Sequence, residues 1–69
     1  MTLSKIRDKA YREARNSGLN HNASGTVGRA VYDYFWPFKG AHREVDASDS
    51  KINAIIWSTI QIQKGHLKP

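Results

Sequence analysis

The sequence contains no cysteine, and only two of its 69 residues are proline. The absence of thiols excludes disulfide bonds and thiolate metal sites, which stabilise many small domains. The sequence also lacks a run of the roughly 18–20 apolar residues that a membrane-spanning helix requires, and its first residues do not resemble a signal peptide. We therefore expect a cytoplasmic protein with no membrane segment, stabilised by packing, by self-association or by a partner.

Acidic residues are also few. Six Asp and Glu residues stand against 11 Lys and Arg, which leaves a formal net charge of +5 at pH 7. An excess of this sign favours anionic partners, with nucleic acid first and acidic protein surfaces or anionic lipid after it. The alternative interpretation is that the charge only keeps a small chain soluble.

Residues 3–16 have the spacing of an amphipathic helix. Thr2 or Ser4 can cap its start, and Gly18 lies where a left-handed terminating residue is expected. The apolar stripe is weak, because two of its members are alanines that allow close approach but bury little surface. Its members are Leu3, Ile6, Ala10 and Ala14.

Residues 17–25 have the composition of a loop, and the pattern predicts a second helix over residues 26–35 with Ser24 or Thr26 as its cap. Its apolar positions follow the helical period closely. They are Val27, Ala30, Val31, Tyr34 and Phe35.

Two residues of unusual backbone chemistry shape this second helix. Pro37 disfavours helical geometry at the residue before it, so the helix should end near Trp36. Gly28 costs the helix about 1 kcal/mol relative to alanine, which indicates that another backbone passes close to it.

A polar connector over residues 37–47 precedes a third segment, residues 48–64, which Asp46 or Ser48 can cap. Isoleucines recur in it at helical spacing, at positions 52, 55, 56 and 60. The stretch 54–62 is also rich in β-branched residues and partly alternates, as a strand would. We predict a helix because of its length and caps.

Together these patterns predict an all-α fold, a small three-helix domain that spans residues 1–69, with an α+β fold as the alternative if residues 54–62 form a strand. Trp57 and Phe38 are expected to close the edges of the core. The predicted core consists of Leu3, Ile6, Val27, Val31, Tyr34, Phe35, Ile52, Ile56 and Ile60.

Residues with catalytic or metal-binding chemistry do not cluster in the sequence. The three histidines, His21, His42 and His66, are scattered, and only His42 has a carboxylate nearby, in Glu44. The glycines within residues 25–28 lack the lysine and the spacing of a phosphate-binding loop. We therefore expect a protein that is not an enzyme and that holds no cofactor or metal.

A row of cations follows the predicted first helix. Lys5, Lys9 and Arg12 are spaced i, i+4, i+7, which aligns them over about 10 Å by the helix rise, and Arg15 extends the row to one side. Such a row can contact successive phosphates and provide affinity without sequence specificity. The alternative is an ordinary solvated helix face.

Aromatic residues are concentrated in one stretch, with five of the seven within residues 32–38. Tyr32 and Trp36 lie one helical turn apart, and Arg29 and Lys39 are close in sequence. Aromatic rings among cations can stack on unpaired bases, and the same residue types dominate protein interfaces. A third interpretation is that the rings fold back over a thin core.

The first functional hypothesis is a non-enzymatic, basic accessory protein that binds nucleic acid or a nucleoprotein complex. Tyr32 and Trp36 would stack on bases. Sequence-specific duplex recognition is disfavoured, because the interval between the first two predicted helices is about nine residues and a helix-turn-helix needs three or four. The predicted nucleic-acid contacts are Lys5, Lys9, Arg12, Arg15 and Arg29.

The second hypothesis is a small protein-binding inhibitor or adaptor that acts on a larger host protein. In size and composition the chain resembles accessory proteins of phages and mobile elements, although no motif indicates a family. Tyr32, Trp36 and Phe38 would anchor the interface, and basic residues would meet acidic groups at its rim. A homodimer that completes the thin core is compatible with both hypotheses.

Overall fold

The computed structural model describes residues 1–40 and 44–68, and its regular structure is helical. Helix α1 spans Leu3–Asn16, α2 spans His21–Phe35, a single 3₁₀ turn follows at Trp36–Phe38, and α3 spans Asp49–Gln63. The predicted all-α, three-helix fold is confirmed. The strand alternative for residues 54–62 is wrong, since all of them lie in α3. His42 and Arg43, which the sequence placed in the connector, lie outside the described residues.

The loop between α1 and α2 is shorter than the sequence indicated. It comprises residues 17–20, and α2 begins at His21, five residues before the predicted start. Asn20 is the cap, in place of Ser24 or Thr26, because its side-chain Oδ1 accepts a hydrogen bond from the Ala23 amide at 2.8 Å. The polar composition of residues 21–25 is typical of a loop, but packing against α1 outweighs that local preference.

Helices α1 and α2 run antiparallel in close contact. A Cβ placed on Gly28 would lie 3.3 Å from the Arg7 carbonyl oxygen, so the predicted close approach of backbone at this glycine is confirmed. At the other end of the pair, the Tyr11 hydroxyl lies 2.8 Å from Nδ1 of His21. The hydroxyl of Ser24, which is fully buried, donates to the Leu19 carbonyl at 3.3 Å. Small side chains at the contact let the two helices approach closely.

This arrangement is an αα-hairpin. The predicted interval of about nine residues is wrong, because the connecting loop has four residues, 17–20, so its length does not exclude a helix-turn-helix. Antiparallel helices joined by a loop this short are an αα-hairpin.

Helix α3 packs onto the hairpin with one face. Ile52, Ile56 and Ile60 are buried at a spacing of four residues, which agrees with the helical spacing of the isoleucines in the sequence. Ser48 caps the helix by accepting from the Lys51 amide at 3.2 Å, and Gly65 ends it with a φ of +82°.

Relative to the predicted core, the observed core gains Ala10, Ala14 and Val45 and loses Tyr34, and the two residues expected to close its edges are exposed. Tyr34 is 40% exposed, and Phe38 and Trp57 do not close the core but remain 46% and 59% exposed. Val45 is buried although it lies in the connector, because its amide donates to the Met1 carbonyl at 2.9 Å and holds the segment against the N-terminus. The buried apolar residues are Leu3, Ile6, Ala10, Ala14, Val27, Val31, Phe35, Val45, Ile52, Ile56 and Ile60.

Candidate nucleic-acid interface

Four side chains from α1, α2, the 3₁₀ turn and the connector form a row in which two rings lie between two cations, and we call this row the aromatic ladder. The guanidinium carbon of Arg7 lies 5.6 Å from the centre of the Tyr32 ring. The Tyr32 and Trp36 rings follow, with their centres 5.8 Å apart and their planes tilted by 35°. Lys39 ends the row, with its Nζ 4.5 Å from the centre of the Trp36 ring. Both distances are within the range of cation–π attraction.

Local sequence explains why the ladder forms. Tyr32 and Trp36 are four residues apart, so they lie on the same side of α2 and its end. Pro37 ends α2 at Phe35 and turns the chain through the 3₁₀ turn, which brings Lys39 over the indole. The antiparallel run of α1 brings Arg7 to the other ring. Trp36 stays 43% exposed, so the ladder presents an aromatic surface flanked by positive charge.

The predicted cationic row of α1 is divided by the fold. Lys5, Arg12 and Arg15 are exposed, and within the described residues their charged ends contact no carboxylate. Lys9 is half-buried, because its Nζ donates to Oδ1 of Asn53 on α3. Three of the four predicted α1 cations therefore face solvent, and the fourth joins α1 to α3.

Arg29 is also exposed, but it is paired. Its Nε lies 3.2 Å from both carboxylate oxygens of Asp33, one helical turn further along α2. An exposed i,i+4 pair of this kind contributes only about 0.3–0.5 kcal/mol, so an anionic ligand can compete for Arg29 at small cost.

Phe38 is separate from the ladder. Its ring lies 6.0 Å from Tyr34 and 6.3 Å from buried Phe35, measured between centres. Beside it is an open cavity of about 170 Å³ that Phe35, Phe38 and Ala47 line together with polar residues of the α3 start. The structure thus divides the three aromatic residues predicted to bind a partner into two surfaces: Tyr32 and Trp36 in the ladder, and Phe38 beside the cavity.

Arg7 is the ladder residue that sequence reasoning missed. It follows Ile6 at the edge of the apolar stripe of α1, on the side that turns toward α2. That position is the one available signal, and it becomes informative only once α2 is known to run antiparallel to α1.

Within residues 1–40 and 44–68, no group of three or more His, Asp or Glu side chains could hold a metal ion. No helix in this part of the chain is long and apolar enough to cross a membrane. Comparisons with protein-family models, with curated proteins and with solved structures found no match for the chain.

Proposed function

We propose that this protein is a non-enzymatic, nucleic-acid-binding accessory protein that contacts phosphates with the exposed cations of α1 and stacks on unpaired bases with the aromatic ladder. The observation that carries the proposal is Trp36, an indole that is 43% exposed with a lysine over its ring and a tyrosine beside it. A net charge of +5 supports the same class of partner.

Phosphate contacts provide the sequence-independent part of the affinity. Lys5, Arg12 and Arg15 are exposed along α1, and Arg7 and Lys39 add two cations at the ladder. Each phosphate that a cation neutralises releases counterions, so affinity falls as salt rises. Lys9 contributes less, because it must first leave Asn53.

Stacking on Trp36 requires Lys39 to move from its ring. An exposed cation–π contact is worth about 0.5–1 kcal/mol, whereas a base stacked on an aromatic side chain is worth about 1–3 kcal/mol. Exchange of the ammonium for a base is therefore favourable, and the displaced Lys39 can bind the adjoining phosphate. This preference predicts that single strands bind more tightly than duplexes, whose bases are already stacked.

The test is fluorescence anisotropy of labelled single-stranded DNA, single-stranded RNA and duplex DNA, titrated at about 50 and 200 mM salt. We expect single strands to bind more tightly and the affinity to fall steeply between the two salt concentrations. Trp36→Ala should weaken single-strand binding by about 5- to 150-fold, the range that loss of one stacked base predicts. Trp57→Ala is the matched control, because this second exposed indole lies outside the ladder. An absence of binding at the lower salt contradicts the proposal.

The cavity beside Phe38 supports a second candidate function, a protein-binding inhibitor or adaptor. Exposed Phe38 lines a cavity of about 170 Å³, and the exposed Tyr34 ring lies 6.0 Å from that of Phe38, which is the form of an anchor site at a protein interface. A photocrosslinking residue at position 38, with the same residue at position 62 as the control, tests this candidate in cells. The second candidate is favoured over the first if position 38, and not position 62, crosslinks to one protein and the anisotropy titrations show no binding of nucleic acid.

A further inference from the structure

A groove lies between the last turns of α1 and the middle of α3, away from the aromatic ladder, and its volume is about 310 Å³. Glu13, Asn16 and Ser17 line its α1 side. Asn53 and Trp57 line its α3 side, together with two buried isoleucines. The groove therefore places a carboxylate and two amides beside an exposed indole.

The carboxylate of Glu13 in this groove lacks a partner. Its Oε2 is buried and has no hydrogen-bond donor among the described residues. Neither of the ion pairs found within residues 1–40 and 44–68 includes Glu13. Lys9 lies one helical turn earlier on α1, but its ammonium donates to Asn53. A carboxylate oxygen that is withdrawn from water without a donor costs free energy, so a positively charged donor that enters the groove is favoured.

The end of α1 adds to the same preference. Asn16 is the last residue of α1 and Ser17 is its C-cap, so the carbonyl end of the helix borders the groove. This end carries the partial negative charge of the helix dipole, which favours cations. Arg15 is exposed in the same turn, but neither it nor any other cation of the described residues lines the groove. The groove thus favours positive charge although the chain as a whole carries +5.

The indole of Trp57 distinguishes one kind of cation from another. It is 59% exposed, so its ring is open to a ligand. A guanidinium is planar, stacks on aromatic rings and can donate two parallel N–H bonds to a carboxylate, whereas an ammonium is a compact, strongly hydrated charge. Glu13 and Trp57 line the same groove and offer both contacts. The pair therefore favours arginine over lysine.

The open form of the groove indicates that the guanidinium belongs to a protein. A site for a free small molecule encloses most of its ligand. Here more than half of the Trp57 side chain is exposed, so a ligand on it would remain partly in water unless a larger partner covers both. Tryptophan and arginine that a partner covers are typical anchors of protein interfaces.

We propose that the groove between α1 and α3 binds an arginine side chain of a partner protein, whose guanidinium pairs with Glu13 and stacks on Trp57. The groove shares no residue with the aromatic ladder or with the exposed cations of α1, so this inference does not depend on the proposed nucleic-acid binding. A chain with both surfaces can hold a basic protein beside a nucleic acid.

NMR titration of the isotope-labelled full chain tests the proposal. The probe is the blocked peptide acetyl-Gly-Arg-Gly-amide, and the control is the same peptide with citrulline, which has the shape of arginine without its charge. The indole N–H signals of Trp57 and Trp36 are separate reporters, since the chain has two tryptophans. We expect the arginine peptide to shift the Trp57 signal to saturation, with a dissociation constant on the order of 1 mM, and to leave Trp36 unchanged. The citrulline peptide should shift neither signal.

Two matched variants assign the charge contact. Glu13→Gln keeps the shape of the side chain, removes its charge and should weaken binding of the arginine peptide by about tenfold or more. Asp8→Asn removes an exposed carboxylate of α1 that does not line the groove, and it should leave the affinity unchanged. Trp57→Ala, followed through the backbone amide of Asn53, should weaken binding about two- to fivefold.

Three results would overturn the proposal. Equal shifts by the arginine and citrulline peptides would show that positive charge is not recognised. Equal affinities of Glu13→Gln and Asp8→Asn for the arginine peptide would place the contact outside the groove. A lysine peptide that binds as tightly as the arginine peptide would contradict the stacking of a guanidinium on Trp57, because that contact favours arginine.

Discussion

The salt dependence of binding provides a direct test of the proposed phosphate contacts on α1. The informative variant replaces Lys5 and Arg12 with glutamine, since both are exposed and their charged ends contact no carboxylate among the described residues. Glutamine keeps most of the side-chain length and the helix propensity, so the helix should remain intact while two cations are lost.

The expected magnitude follows from the number of free cations. The proposal assigns phosphate contacts to five exposed cations: Lys5, Arg7, Arg12, Arg15 and Lys39. Each phosphate contact with a single strand contributes about −0.7 to the slope of log affinity against log salt concentration. Five contacts therefore predict a slope of about −3.5. Raising salt from about 50 to 200 mM should then weaken wild-type binding about 100-fold, and binding by the double variant about 20-fold.

The matched control replaces Lys51 and Lys68 with glutamine, which removes the same number of positive charges from the total of +5 at two lysines that are not among the five proposed contacts. Anisotropy titrations of one single-stranded probe at four salt concentrations give the slope for each protein. Equal slopes for the two double variants would contradict the phosphate contacts proposed on α1, since affinity would then follow net charge.

Three further predictions concern stability, each measured by thermal or urea unfolding followed by circular dichroism. Phe35→Ala removes a fully buried ring and should lower the free energy of unfolding by about 3–5 kcal/mol. Phe38→Ala removes an exposed ring and should lower it by less than about 1 kcal/mol. Similar losses for the two variants would contradict the burial of Phe35 in the core. Asn20→Ala removes the cap of α2 and should cost about 1 kcal/mol, and no loss would argue for a later helix start. Gly25→Ala adds a methyl group in open space and should stabilise α2 by up to about 1 kcal/mol. The methyl group of Gly28→Ala would lie 3.3 Å from a carbonyl oxygen of α1, so this variant should be less stable than Gly25→Ala.

The features that were predicted most accurately from the sequence are those that depend on local chemistry. The apolar spacing of α1, a cap at Thr2 or Ser4 and the left-handed Gly18 were all readable, and in the structure the cap is Thr2. The end of α2 was readable for the same reason, because Pro37 restricts the residue before it.

The errors share a cause, which is that distant packing outweighed local composition. Residues 21–25 resemble a loop, yet they form the start of α2, where Ser24 is fully buried within the hairpin and its hydroxyl donates to the Leu19 carbonyl. Val45 belongs to the core although it sits in a polar connector, because the N-terminal backbone pairs with it.

The candidate site divides in the same way. The sequence alone determined the excess of positive charge, the cationic row on α1 and the cluster of aromatic residues, because these follow from composition and helical period. Tertiary packing then determines which of those charged groups face solvent. The Lys9 ammonium donates to Asn53 of α3, and the Arg7 guanidinium lies over the Tyr32 ring of α2. Helical period places a side chain on one face of its own helix, but the helices that pack against that face determine whether its charge meets solvent or a neighbour.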